Sequence, residues 1–215
     1  MTLFFNKYAD LNIVCALIEN IKVEKSVPPR YYEIKNNIPK KFSLQTIVNN
    51  EIIRAYRDFF WKIGIDPTKE RPSSEALIRR ILRGKDIYRI NNVVDSMNIV
   101  SAYTGIVMSA FDADKILLPI TLKAASGGEE LRIIGGKIMA VPENFPILVD
   151  ANGRVFSATI YRDGEETKVT EKTTRIILIA YAPKTIPKSY LIQSHKMAID
   201  IVCESAHGHL KERQI

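Results

Sequence analysis

The sequence predicts an α+β domain with a helical N-terminal part and a mainly antiparallel sheet behind it, on three observations. Apolar residues recur at helical spacing between residues 43 and 104. From residue 116 onward, short β-branched and aromatic runs follow one another at turn-length intervals. No stretch joining the two parts has the composition of a linker, a repeat or a low-complexity tract, so residues 1–215 are expected to pack as one domain. At 215 residues, 46% of them hydrophobic, the chain is long enough to bury a sizeable core.

In chain order, residues 11–18 and 21–23 read as an opening strand, and Pro28, Pro29 and Pro39 as a loop. Ser43 is placed to cap a helix reaching Ile63, with Ile47, Ile52, Tyr56, Phe59 and Phe60 as its packing face and Gly64 and Pro67 as its end. A basic helix over 74–83 follows. A hydroxyl of Ser73 or Ser74 can accept from its free amides, Glu75 lies where the helix dipole favours an anion, and Gly84 suits a left-handed stop. Leu77, Ile78, Ile81 and Leu82 turn inward, leaving Arg79, Arg80 and Arg83 outward. A third helix, 92–104, stops at Gly105. Runs at 116–124, 131–134, 137–141, 147–149, 155–161 and 175–181 then read as a meander-like sheet. Gly127-Gly128, Gly135-Gly136, Asp150 to Gly153 and Asp163-Gly164 are its hairpin turns. Ser189 caps a closing helix through Ala206, and the residues beyond read as a frayed tail.

The formal net charge of +7 is uneven: residues 1–90 carry 17 Lys/Arg against 10 Asp/Glu, residues 91–215 carry 14 against 14. A one-sided excess is the footprint of a face that meets a polyanion. Arg79, Arg80 and Arg83, with Lys85 and Arg89 just beyond, are the candidate nucleic-acid-binding residues. Lys40, Lys41, Arg54, Arg57 and Lys62 are equally well read as solvated helix faces. Cys15 and Cys203 lie in apolar runs without C-x-x-C spacing and read as small core residues of a reduced, cytoplasmic protein. The first residues lack the pattern of a secretory leader and no apolar run approaches the ~20 residues that span a bilayer, so no membrane partner is expected.

Several chemistries lose support at once. The sequence has no G-x-x-x-x-G-K-[ST], no G-x-G-x-x-G after a strand, no H-E-x-x-H and no G-x-S-x-G, which argues against common nucleotide hydrolysis, dinucleotide chemistry and metallohydrolysis. His207 and His209 lack a carboxylate cluster, so no metal and no cofactor is expected.

One ordered set of short motifs carries a family likeness. Pro72-Ser-Ser-Glu-Ala-Leu-Ile-Arg-Arg80, Ile90-Asn-Asn-Val-Val-Asp95 with Asn98, Ala110-Phe-Asp-Ala-Asp114 with Lys115-Ile116, Gly128-Glu129, Val149-Asp150 with Gly153, and Val169-Thr170 with Thr173 follow in that order. Over about residues 50–183 the pattern resembles the tRNA-binding and editing domain of the phenylalanyl-tRNA synthetase beta subunit, in a stand-alone form. The resemblance implies a three-layer β/β/α architecture and the hydrolysis of tyrosine wrongly attached to phenylalanine tRNA. It places Asn98 at a pocket asparagine, Glu165 near the carboxylate that recognises the tyrosine hydroxyl, and Thr159 where bacterial pockets have glycine. Ser109 stands where a bacterial editing site has histidine, which removes a group able to position water or move a proton.

Glu165 and Ser109 are therefore the candidate catalytic residues, and Asp95, Asn98 and Thr159 the candidate substrate-binding ones, around an amino-acid moiety carried by tRNA. Ester hydrolysis asks for little more than one well-placed water. Asp95 and Asn98 are also readable as backbone-bonding helix residues, Asp112 and Asp114 as turn formers, and Glu165 as a solvent-facing carboxylate. Three functions stay open: a deacylase of mischarged aminoacyl-tRNA, a catalytically silent RNA-binding adaptor, and a binder of free amino acid.

Overall fold

The computed structural model describes residues 2–215, and it arranges them in three layers, helix on sheet on sheet, as the fold class implies. The centre is a four-stranded antiparallel sheet. Its middle strands are β2 (Leu11–Glu19) and β10 (Ile176–Pro183), flanked by β3 (Val107–Asp112) and β11 (His209–Gln214) in the order β11-β2-β10-β3. Every residue of β10 is buried, which explains its unbroken apolar run: a strand covered on both faces has no polar side to alternate with. Helices α4 (Asn92–Thr104) and α5 (Lys188–Ala206) cover one face, with α1 (Tyr31–Lys41) and α3 (Ser73–Leu82) packed outside α4.

The other face meets a second sheet of β1 (Phe4–Asn6), β4 (Ile120–Ala124), β7 (Pro146–Val149), β8 (Val155–Ala158) and β9 (Arg162–Asp163), in that order. A small hairpin, β5 (Glu130–Arg132) with β6 (Ile138–Ala140), rests on β8 over its own core of Leu131, Val141, Phe145, Ile147 and Ala158. Helix α2 (Glu51–Lys62) anchors to the central sheet through Tyr56, whose hydroxyl donates to the carbonyl of Tyr181 and accepts from the amide of Val107 at 3.1 Å.

Several elements differ from the reading of the sequence. The proline-rich opening loop contains α1, because Tyr31, Ile34 and Ile38 bury one helical stripe and Pro39 falls in the last turn, where a missing N–H removes a single bond. The second helix is capped by Asn50, whose side chain accepts from the amides of Ile52 and Ile53, and Ser43 lies outside it. Neither Ser73 nor Ser74 caps α3, which begins after Pro72. The meander divides among the two large sheets and the separate β5–β6 hairpin, and β1 and β3 join the expected strands. Pairing of β4 starts at Ile120, since Pro119 has no N–H to give a ladder. The expected frayed tail is β11, an edge strand whose outward charges conceal its pairing with β2. No helix among the described residues is long and apolar enough to cross a membrane.

Candidate functional site

Polar side chains inside an apolar interface mark the candidate site. In the register of β3 with β10, Ser109 sits opposite Ile179 and so diagonal to Tyr181. The face they share looks toward the second sheet, because Phe111, two residues from Ser109, meets Phe156 of β8 edge-on at 5.1 Å. From that second sheet β8 and β9 bring Ser157 opposite Asp163, and the Ser157 hydroxyl donates to Asp163 Oδ1 at 2.9 Å. Ser109 reaches the same carboxyl from the central sheet.

Burial pushes the Asp163 carboxyl above its ordinary value, although both serine hydroxyls favour its charged form. Burial also raises the Tyr181 phenol, with the nearby Asp163 charge adding to it. The hydroxyls of Tyr181 and Thr159 are buried without a well-formed hydrogen bond, although Ser109 approaches the Tyr181 phenol.

A cavity of about 300 Å³ opens alongside. Phe156 and Gly164, the backbone neighbours of Ser157 and Asp163, line it together with Leu131, Ile138, Arg132 and Arg154. The β5–β6 hairpin is held against this wall by Ile134 N–H donating to the carbonyl of Asp163 at 3.0 Å and by a bridge between Ile133 and Gly164. Glycine is required at 164 for close approach: a Cβ there would stand 2.7 Å from the carbonyl oxygen of Phe156.

The residues singled out from the sequence divide among three places. Ser109 enters the buried cluster, and Thr159 lies two residues beyond Ser157 with its hydroxyl unpaired. Glu165 sits at the surface end of the hairpin wall, where it ion-pairs with Lys168 and accepts from the amide of Gly135 at 3.0 Å. The lysine first and the amide second hold its carboxyl below the usual value. Asn98 stands on α4, in the helical layer across the central sheet from that cluster. Asp95, 1% exposed, is committed to Arg89, whose Nε donates to it at 2.7 Å, and to the amide of Ile90 at 2.9 Å. The fold thus does not gather Asn98, Ser109 and Glu165 around one pocket.

Arg79, Arg80, Arg83 and Lys85 do share a concavity, whereas Arg89 turns away to Asp95 and to the carbonyl of Ser26. Asp163, Ser157 and Tyr181 went unnoticed in the sequence because Asp163-Gly164 has turn composition. The available signal was the pair of hydroxyls, Ser157 and Thr159, inside an otherwise apolar strand.

A family model described as the B3/4 domain matches residues 55–201. The phenylalanine–tRNA ligase beta subunit of Pasteurella multocida is 35% identical over 160 residues, 74% of this chain and 19% of that protein. The beta subunit of Mannheimia succiniciproducens is 34% identical over 107 residues, 49% of this chain and 13% of that protein. The chain therefore spans less than a fifth of the length of these relatives. A solved N-terminal fragment of the phenylalanyl-tRNA synthetase beta subunit from Pyrococcus horikoshii covers 97% of this chain and 50% of its own, with a TM-score of 0.58 at 13% identity, a likeness of fold alone.

Proposed function

The chain belongs to the B3/4 domain family, and from that premise we propose that it works alongside tRNA aminoacylation as a hydrolase of mischarged aminoacyl-tRNA, with Asp163 as its proton acceptor. The observation that carries this reading is the half-buried Asp163 carboxyl, facing serines of both sheets and raised above its ordinary value. A carboxyl so raised is a better base than a solvated one, and a base works best when its pKa approaches the ambient pH.

In this reading Asp163 takes a proton from a water molecule as that water adds to the ester carbonyl. The tetrahedral adduct collapses, the carbon–oxygen bond to the ribose breaks, and the same proton passes to the departing ribose oxygen. Ser157 and Ser109 hold the carboxyl in orientation. Thr159, with an unpaired hydroxyl, and Tyr181, whose phenol Ser109 approaches, serve to recognise a polar group on the amino acid, since a buried donor left unmatched penalises substrates lacking the partner. Glu165, kept anionic by Lys168, clamps the hairpin that walls the cavity.

Single-turnover deacylation of tyrosyl-tRNA and of a panel of other mischarged tRNAs tests this. The chain is expected to release amino acid above the spontaneous rate, and D163N to lose about 10² to 10⁴ of that rate while still binding tRNA. Wild-type hydrolysis by D163N would overturn the assignment. Binding of tRNA without release by the unaltered chain would make the protein an adaptor.

A further inference from the structure

We propose that the concavity beside α3 binds one nucleotide of single-stranded RNA, its phosphate among the arginines and its base against Tyr88. The proposal goes beyond the hydrolysis reading and stands without it.

Arg71, Arg79, Arg80, Arg83, Lys85 and Tyr88 line a depression of about 400 Å³, and the acidic residue among its walls, Glu70, is already paired with Arg162 at 2.7 Å. Two of the arginines are held in place by their Nε atoms. Arg79 Nε donates to the buried Glu75 at 2.7 Å, itself held by Arg57, and Arg80 Nε donates to the carbonyl of Asp86. Among the described residues no further side-chain bond engages these two guanidinium groups, so their Nη donors remain for an anion. Arg71, Arg83 and Lys85 are exposed and, among the described residues, without an ion pair. Such an array matches phosphate, which guanidinium forks grip through paired donors.

Tyr88 decides in favour of a nucleotide over a plain anion. Its ring is 68% exposed, and the Arg80 guanidinium stacks 3.8 Å from its centre. An exposed aromatic ring beside cationic side chains is how sequence-tolerant proteins hold unpaired bases, which duplex geometry would keep out of reach. The Glu70–Arg162 pair also joins the wall of this depression to the residue preceding Asp163.

Fluorescence anisotropy with a short labelled single-stranded oligoribonucleotide tests the site, with the matching duplex, inorganic polyphosphate and polyglutamate as competitors. The oligonucleotide carries no ester, so failure here is distinct from failure of the hydrolysis reading. Y88A should weaken single-strand binding about tenfold and leave polyphosphate binding unchanged, while Y88F retains both. R83E combined with K85E should weaken both and reduce the log-log salt slope by roughly 0.7 per lost contact. Melting curves accompany each variant, and Y88F supplies the folded comparison. Equal single-strand binding by Y88A and the unaltered chain, or competition by duplex or polyglutamate as strong as that of the single strand, would overturn the proposal.

Discussion

Asp163 and His195 show how two desolvated titratable side chains load the fold in opposite senses. Asp163 has a raised carboxyl, so between its ordinary value near 3.8 and its raised value the folded chain binds a proton that the unfolded chain does not. Its contribution at neutral pH is therefore destabilising and is relieved on acidification. D163N is expected to be the more stable protein at pH 7, by ~1.4 kcal/mol for each unit of elevation, with the gain vanishing as pH falls toward 3.8; urea titrations at several pH values measure it. His195 is fully enclosed, its Nε2–H donating to the carbonyl of Leu178 at 3.0 Å, and burial lowers its pKa to about 3. Between the ordinary value of 6.5 and about 3 it is the unfolded chain that binds the extra proton. Stability present above pH 6.5 is accordingly lost on acidification, by up to ~1.4 kcal/mol per pH unit, and H195N should flatten that slope in the same titrations.

At the scale of the element, α3 was legible as an amphipathic basic helix and its use of Glu75 was not. Position 75 suits an acid at a helix start, yet the side chain is wholly buried and joins Arg57 of α2 at 3.1 Å to Arg79 of its own helix at 2.7 Å. Removing the carboxylate leaves two arginines uncompensated in a low-dielectric setting, so E75A should cost ~3–5 kcal/mol in chemical denaturation. Replacing Arg57, Glu75 and Arg79 together by methionine should cost far less, because no lone charge then stays buried. The hairpin wall makes a matching case. Gly164→Ala sets a Cβ against the carbonyl of Phe156, a backbone atom that cannot swing aside, and should lower stability by ~1–3 kcal/mol in thermal melts.

At the scale of the molecule, Gln214 joins the two sheets at their edges. Its Oε1 accepts from the amides of Leu3 at 2.7 Å and Phe4 at 3.1 Å, and its Nε2 donates to the carbonyl of Phe4 at 2.8 Å, so β11 of the central sheet holds β1 of the second. Gln214→Ala should destabilise the fold by ~1–3 kcal/mol and speed hydrogen exchange at Leu3 and Phe4 ahead of the core amides. Nothing in the local pattern of Lys211 to Gln214 announces this, since the residues that it ties lie at the opposite end of the chain. The sequence by itself determined what depends on near neighbours: the α+β class, the apolar stripes of α2, α3 and α4, the Gly105 stop, and the basic cast of the first ninety residues. These follow from periodicity, capping and left-handed glycine, all of which act within a few residues. Only the tertiary structure decided that the strands form two stacked sheets and a separate hairpin, that Asn98 and Glu165 lie apart from Ser109, and that Asp163 joins Ser109 across the interface. Register and layer order depend on pairings between distant segments, and whether a carboxyl only forms a turn or joins an interior polar cluster depends on what folds over it.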